Sequence, residues 1–302
     1  MKRITVKLEF LAQSLVRYPF SQPCPHCRSV EQTLVGRKYG VGRIVRCTGC
    51  GLCFSRPIYR SWLASNFYDR LYSEPSTTVL PHAQQLEQLL AAGFRGLDKD
   101  ASAVLEKIRA HVSSSRPRLL EIGSSWGYFL YQARAAGFDV TGVEIATRRR
   151  NFACQRLGLR MVADLRDLDG ACRYDVIYAA HALEHFVDIH GVFPRLAALL
   201  SDDGVLFIEV PNFDPEQFGR RCFSIVGAVH PIGFDTDFLR FNLPRHGLEV
   251  TGLYASWDDL PDRPSAVSHG AVIIARAIRR RAEAASGPPR PRPASVGTGG
   301  GG

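Results

Sequence analysis

A chain of 302 residues with 45% hydrophobic content can bury a full core and has room for one large domain and a small one. Its formal charge of +9 is weak support for a polyanionic partner, because 33 of the 38 basic residues are arginine and several lie in the proline-rich C-terminal segment, so we expect no nucleic-acid partner. Charges interrupt the first twenty residues, and no run approaches the roughly 18 apolar residues of a membrane span, so we expect a cytoplasmic protein without a signal peptide or a membrane anchor.

Five of the eight cysteines lie within residues 1–58, and four of them form two C-x-x-C pairs separated by nineteen residues. The pairs are Cys24 with Cys27 and Cys47 with Cys50. Four thiolates at this spacing are typical of a closed, structural zinc site, so the sequence predicts a zinc-ribbon-like module over 1–58. Cys53 is interpreted as a core thiol, with substitution for Cys50 as the alternative.

The next segment, 59–115, is interpreted as a helical connector. Apolar residues recur at helical spacing in 81–94 and in 101–112. At the other end of the chain, the proline- and glycine-rich segment 282–302 cannot form a core, and we expect it to be disordered.

Residues 116–281 alternate strand-like and helix-like segments, which is typical of a mostly parallel sheet with helices on both faces. The sequence therefore predicts an α/β, Rossmann-like domain. Its expected strands are 118–122, 139–145, 159–164, 174–180, 205–211, 248–255 and 269–277.

The first of these strands leads into the turn E-I-G-S-S-W-G-Y-F at 121–129. Gly123 and Gly127 have a G-x-x-x-G spacing, and Ser125 stands where a dinucleotide fingerprint has its central glycine. Such a turn into a helix directs backbone N–H groups towards a ligand that need not carry a pyrophosphate.

Acidic residues end three successive strands. Glu121 is the first, Glu144 could accept hydrogen bonds from the ribose hydroxyls of an adenosine moiety, and Asp164 could accept from the adenine amino group. Asp164 has an alternative role as a loop carboxylate at a helix N-terminus.

Four segments carry a family resemblance: EIGSSWGYF, VTGVEIA, YDVIYAAHALEHFVDI and LLSDDGVLFIEVPN. In this order they resemble class I S-adenosylmethionine-dependent methyltransferases of the small-molecule type that carry L-E-H after the fourth strand. The resemblance covers about 117–255, and the preceding cysteine module resembles the N-terminal region of many such enzymes. It implies S-adenosylmethionine as cofactor. The residues that it assigns to the methionine part are Glu121, Gly123 and Gly127, with Ser125 in place of the usual central glycine, while Glu144 meets the ribose and Asp164 the adenine.

The segment His181-Ala-Leu-Glu184-His185 also reads as H-x-x-E-H, the signature of inverted zinc metallopeptidases. That motif belongs inside a long helix, whereas here it directly follows a strand. Within the methyltransferase interpretation, His181, His185 and His230 are candidates for a general base, with packing or helix capping as the alternative.

Two hypotheses follow for the whole chain. The first is methyl transfer to a small molecule, such as a sugar or a natural-product intermediate, by alignment of nucleophile, methyl group and sulfur. The alternative is a zinc ribbon that binds RNA or a protein, carried on a vestigial methyltransferase fold. The sequence leaves the methyl acceptor and the oligomeric state open.

Overall fold

The computed structural model describes residues 22–38, 42–58, 79–227, 230–260 and 272–279. The expected tail 282–302, most of the first half of the connector and the first 21 residues lie outside this part of the chain.

Eleven strands are present in the described residues. They are β1 (Gln32–Lys38), β2 (Gly42–Cys47), β3 (Cys53–Arg56), β4 (Arg118–Ile122), β5 (Asp139–Val143), β6 (Met161–Val162), β7 (Tyr174–Ala180), β8 (Leu200–Pro211), β9 (Ile232–Gly233), β10 (Leu248–Tyr254) and β11 (Val272–Arg279). The α-helices of the same part of the chain are α1 (Ala83–Ala91), α2 (Ser102–Arg109), α3 (Tyr128–Ala135), α4 (Thr147–Leu157), α5 (Val192–Leu199), α6 (Pro215–Phe218) and α7 (Thr236–Asn242).

The larger sheet has seven strands in the order β10-β11-β8-β7-β4-β5-β6. Strands β6, β5, β4, β7 and β8 are parallel, and β11 and β10 add two antiparallel partners. The strand order reverses beside β4, so the carboxyl ends of β4, β5 and β7 meet at the crevice where ligands bind in such sheets. This confirms the α/β, Rossmann-like fold class.

Helices cover both faces of the seven-stranded sheet, because its central strands are apolar on both sides. On one face Leu119 and Phe207 pack with residues of α1 to α4, including Leu86 and Phe129. On the other face Ile177 and its neighbours pack with α5 and α7.

The cysteine module shares the second of these cores. Val45 and Phe54 of the module belong to the same cluster of buried residues as Ile177 and Leu206 of the large sheet. Its own small sheet has the order β1-β2-β3-β9, and its last strand comes from the long connection after β8. The segment boundaries at 58, 115 and 281 stay a prediction.

Two expected strands have other bounds in the structure. Strand β8 begins at Leu200 and not at residue 205, and an irregular register opposite Tyr174 and Val176 accommodates the extra length. The third strand is reduced to Met161–Val162. The L-E-H segment is a single 3-10 turn, Leu183–His185, so its two histidines do not project from successive turns of an α-helix as a peptidase zinc site requires.

None of the helices in the described residues is long and apolar enough to cross a bilayer.

Candidate functional site

The turn between β4 and α3 depends on left-handed backbone conformations. Gly123 and Gly127 have φ of +78° and +85°, and a Cβ on Gly123 would lie 2.7 Å from the Cβ of Ala182. Glycine is therefore needed at Gly123 both for the conformation and for close contact with the segment that follows β7. Ser125 has a φ of +49°, so it adopts the left-handed conformation that a central glycine would adopt at lower cost.

Two buried carboxyl groups lie beside this turn. Glu144 accepts hydrogen bonds from the backbone N–H of Ser125 and of Ala146, both at 2.8 Å, and burial raises its pKa. Burial also raises the pKa of Glu121, to about 8, against a smaller lowering effect of Ser124. The Oε2 atom of Glu121 is buried and finds no hydrogen-bond partner within the described residues. A buried polar atom of this kind fits a ligand that donates a hydrogen bond to it.

Asp164 lies at the end of the third strand, as the sequence indicates, but its carboxylate is occupied. It accepts from the side chain of Arg166 at 2.8 and 2.9 Å and caps the 3-10 turn Leu165–Asp167. The Arg166 hydrogen bond lowers its pKa. This is the capping role considered as the alternative, and the adenine contact stays a prediction.

His181 lies between two carboxylates. Its Nδ1 is 3.5 Å from Glu184 Oε1, its Nε2 is 3.4 Å from Glu209 Oε1, and its backbone N–H donates to the Glu209 carbonyl at 2.8 Å. These two carboxylates raise the pKa of His181 to about 10, with Glu184 the larger influence. The imidazole is therefore protonated at neutral pH and has no free nitrogen that could accept a proton.

Glu184 is 1% exposed. Among the described residues, neither of its carboxylate oxygens has a hydrogen-bond partner, so the His181 imidazolium is its nearest compensating charge in the ion pairs described. A buried carboxylate of this kind depends strongly on such a charge.

His185 and His230 form an edge-to-face pair with ring centroids 4.5 Å apart. The Nδ1–H of His230 donates to the Ile225 carbonyl at 3.1 Å, which leaves Nε2 as the acceptor nitrogen of the neutral ring. Burial, and to a smaller extent His185, lower the pKa of His230 to about 4. Ligand atoms of Glu184, His185 and His230 all lie within 4.8 Å of one another, so these groups could also hold a metal ion.

The four cysteines of the two C-x-x-C pairs come together. Cys24 Sγ is 3.6 Å from Cys50 Sγ, Cys27 Sγ is 3.4 Å from Cys47 Sγ, and all four sulfurs lie within 4.8 Å of one another. Tetrahedral zinc at about 2.3 Å from each thiolate places sulfurs about 3.8 Å apart, which fits this cluster. Cys53 is buried separately, beside Ile44 and Phe213, as expected for a core thiol.

Sequence reasoning missed the partners of Glu209. Its Oε2 accepts from Trp257 Nε1 at 2.7 Å and from Tyr178 OH at 3.3 Å. A carboxylate inside the apolar strand VLFIEVP was the available signal, because a charge in a buried strand needs compensation. The identity of its partners depends on the antiparallel return of the chain through β10, which the sequence does not reveal.

Residues 83–285 match the family model of the methyltransferase domain. The chain belongs to this family. Two relatives illustrate its range: a C-methyltransferase, NovU of Streptomyces niveus, is 26% identical over 185 residues, which is 56% of this chain and 43% of the relative. The ubiquinone biosynthesis O-methyltransferase of Bordetella avium (strain 197N) is 30% identical over 123 residues, which is 37% of this chain and 49% of the relative.

The matched part of this chain thus spans less than half the length of these two relatives. Among solved structures, the geranyl diphosphate C-methyltransferase of Streptomyces coelicolor A3(2) has a TM-score of 0.49 and 15% identity, covering 72% of this chain and 97% of that one. This similarity is too low to support an argument about substrate or mechanism.

Proposed function

We propose that this protein transfers a methyl group from S-adenosylmethionine to a small-molecule acceptor, such as a sugar or a natural-product intermediate. The cofactor supplies a methyl group bonded to a positively charged sulfur. The observation that carries the proposal is the pair of buried carboxyl groups, Glu121 and Glu144, beside the left-handed turn at the ends of adjacent parallel strands. Membership of the methyltransferase family supports it independently.

In this proposal the cofactor lies along the turn. The backbone of Gly123, Ser125 and Gly127 and the unpartnered Oε2 of Glu121 hold the methionine part. Glu144 holds the ribose, since each of its oxygens accepts one backbone hydrogen bond and keeps a further lone pair. Asp164 can accept a hydrogen bond from the adenine only if its carboxylate loses one of its hydrogen bonds to Arg166.

The proposed base is the His185–His230 pair. When bound, the cofactor would supply the methyl group to the acceptor, and its sulfur would keep the electron pair of the broken bond. The acceptor's proton then goes to a neutral imidazole, for which His230 Nε2 is suited because Nδ1–H is held by Ile225. His181, the third histidine considered from the sequence, carries a proton already, so we assign it the role of compensating Glu184 and Glu209.

We further propose that Cys24, Cys27, Cys47 and Cys50 hold one structural zinc ion. The spacing of their sulfurs supports this, and four thiolates leave no coordination position open for chemistry.

The first test is calorimetric titration with S-adenosylhomocysteine. We expect Glu144→Ala to weaken binding by about 2–3 kcal/mol, the scale of lost hydrogen bonds to a charged group. Glu106→Ala, which removes an exposed carboxylate from α2, is the matched control and should bind as the wild type does. Equal affinity of the folded Glu144→Ala protein and the wild type would contradict the ribose assignment.

The second test measures transfer itself. S-adenosylmethionine labelled in its methyl group is incubated with a panel of hydroxyl, amino and carbon acceptors that includes sugar derivatives. Label transfer to one of them is the expected result. Failure of the wild-type protein to bind S-adenosylhomocysteine at all would overturn the proposed function and favour the RNA- or protein-binding alternative.

A further inference from the structure

The segment that carries His230 belongs to the cysteine module's sheet as much as to the methyltransferase domain. Directly after His230, strand β9 pairs with β3, with Ile232 opposite Phe54 and Gly233 opposite Cys53. The backbone N–H of Ser55 donates to the Pro231 carbonyl at 2.8 Å. The residues that follow His230 are therefore fixed by the backbone of the module.

Ser224, Val226 and Gly227, which precede His230 in the chain, contact the same module. Lys38, the last residue of β1, donates from Nζ to the Val226 carbonyl at 2.6 Å and to the Ser224 carbonyl at 3.2 Å. Gly227, which lies against the Lys38 side chain, donates its N–H to the His230 carbonyl at 2.8 Å. A charged donor on two backbone carbonyls is a strong restraint on a loop.

The module in turn is anchored to the methyltransferase domain through both cysteine pairs. Near the first pair, the Pro25 carbonyl accepts from Ile189 N–H at 3.1 Å and the His26 carbonyl lies 2.7 Å from His190 Nδ1. At the second pair, the Cys50 carbonyl accepts from Asn242 Nδ2 at 2.9 Å. The module is thus fixed at one end to the domain and at the other to the His230 loop.

We propose that the cysteine module is a positioning element of the active site: through β3 and Lys38 it holds His230 against His185. This inference rests on the proposed function, in which that pair is the base. His185 follows β7 of the large sheet, whereas His230 lies just before β9 of the small sheet. The pair therefore forms only when the two sheets are packed together. Lys38 is a positioning residue, and the cysteine cluster acts through the same strands.

Release of the loop has a measurable consequence for His230. Its imidazole lies edge-on to His185, with ring centroids 4.5 Å apart, and donates to the Ile225 carbonyl at 3.1 Å. A loosened loop separates the two rings, so the NMR signals of the His230 ring protons should lose the shift that the neighbouring His185 ring causes.

The test compares Lys38→Met with Lys38→Arg and with the control Arg37→Met, which removes a neighbouring exposed charge from β1. Hydrogen exchange of the Ser55 and Gly227 amides and the NMR chemical shifts of the His230 ring protons are measured at one pH on the zinc-loaded protein with S-adenosylhomocysteine. We expect Lys38→Met to accelerate exchange of both amides about tenfold or more and to shift the His230 ring signals, while Lys38→Arg and Arg37→Met match the wild type. Unchanged exchange and unchanged His230 ring signals in Lys38→Met would overturn the inference.

Zinc removal by a chelator is the second arm. It should accelerate exchange of the same two amides and shift the His230 ring signals, because β3 leads directly from the second cysteine pair. If the His230 loop keeps its protection in metal-free protein, the module does not position the histidine. Affinity for S-adenosylhomocysteine is measured in parallel and depends on the turn after β4. Absence of binding in the wild-type protein would count against the proposed function and not against this inference.

Discussion

His181 has both an unfavourable backbone conformation and a restrained side chain. Its φ of +46° is unfavourable by about 1–2 kcal/mol for a residue with a Cβ, and its ring is restrained between two carboxylates. Strained conformations persist where the surroundings impose them, and they cluster at functional sites. Here the imidazolium compensates the buried charge of Glu184 and, through Glu209, reaches Trp257. The residue therefore joins the segment after β7 to the end of β8.

The linkage between His181 and stability can be measured. The pKa of His181 is about 10 in the folded protein and about 6.5 when unfolded, so its stabilising effect is full below about pH 6.5 and is lost as the pH rises through 10. Asparagine tolerates the left-handed conformation but carries no charge, so we expect His181→Asn to lower the free energy of unfolding at pH 7 by about 1 kcal/mol, allowing for solvent screening of a half-exposed ring. Chemical denaturation from pH 6 to 10 should show the two proteins converging at high pH. His82→Asn, at the exposed start of α1, controls for loss of a histidine, and parallel curves for His181→Asn and the wild type would refute the ion-pair assignment.

The base assignment concerns His185 and His230. We expect alanine at either position to lower kcat by ~10²–10⁴ with S-adenosylhomocysteine affinity nearly unchanged, measured with an acceptor from the panel. A base acts when unprotonated, so with the His230 pKa at about 4 the wild-type rate should stay level as the pH falls from 8 to about 5 and decrease only below that. Near-wild-type turnover in both variants, or an acid limb near pH 6.5, would exclude His230 as the base.

At the scale of elements, the turn between β4 and α3 determines how closely three segments approach. Gly123 and Ser124 both donate their N–H groups to the Val143 carbonyl, at 2.8 and 3.0 Å, and Gly123 also contacts Ala182. The ends of β4, β5 and β7 are thereby drawn together. Ser125 is the one left-handed position in this turn where a side chain is present.

Substitution at Ser125 separates backbone strain from side-chain contacts. Ser125→Ala and Ser125→Gly both remove the hydroxyl, but only glycine removes the Cβ that disfavours a φ of +49°. We expect Ser125→Gly to exceed Ser125→Ala in free energy of unfolding by about 0.5–1 kcal/mol, measured by urea denaturation, and to bind S-adenosylhomocysteine at least as tightly. Alanine equal to or more stable than glycine would show that the left-handed conformation is not retained in solution.

At the scale of the whole molecule, the cysteine module and the methyltransferase domain share one hydrophobic core. Cys24 and Phe54 of the module belong to the same cluster of buried residues as Phe193 of α5 and Phe238 of α7. His26, between the cysteines of the first pair, contacts Phe193 and Phe238 edge-on, with ring centroids 5.8 and 5.1 Å away. Loss of order in the module would therefore expose apolar surface of the Rossmann-like domain.

Zinc content and global stability should accordingly change together. Elemental analysis is expected to find about one zinc per chain, and Cys27→Ser should lose the metal and lower the melting temperature of the entire protein in a single transition, since a structural zinc contributes on the order of 10 kcal/mol. Cys154→Ser, at an exposed cysteine outside the cluster, should retain metal and stability. A metal-free wild-type protein with an unchanged melting temperature would contradict the zinc assignment.

A second metal that disappears in His230→Ala would show that Glu184, His185 and His230 are ligands and not a base.

Local pattern alone determined much of this protein. Apolar runs predicted β4, which Pro117 and Gly123 bound, and β7 over their observed residues. The paired spacing of Cys24 with Cys27 and Cys47 with Cys50 identified four sulfurs that the structure brings together. The placement of Glu121 and Glu144 at the ends of adjacent strands also followed, because parallel strands deliver their carboxyl ends to one edge. Each of these depends on residues close in sequence or on a general rule of sheet geometry.

Only the tertiary structure determined the contacts between residues that are distant in the chain. His181, His185 and His230 were all candidate bases in the sequence. Their roles are distinguished by the contacts of His181 with Glu184 and Glu209 and by that of His230 with the Ile225 carbonyl. The pairing of β3 with β9, which ties the cysteine module to the histidine loop, joins segments about 180 residues apart. A residue's charge state and freedom depend on the burial and the partners that such contacts create, and these are set by how the whole chain packs and not by the residue's neighbours in sequence.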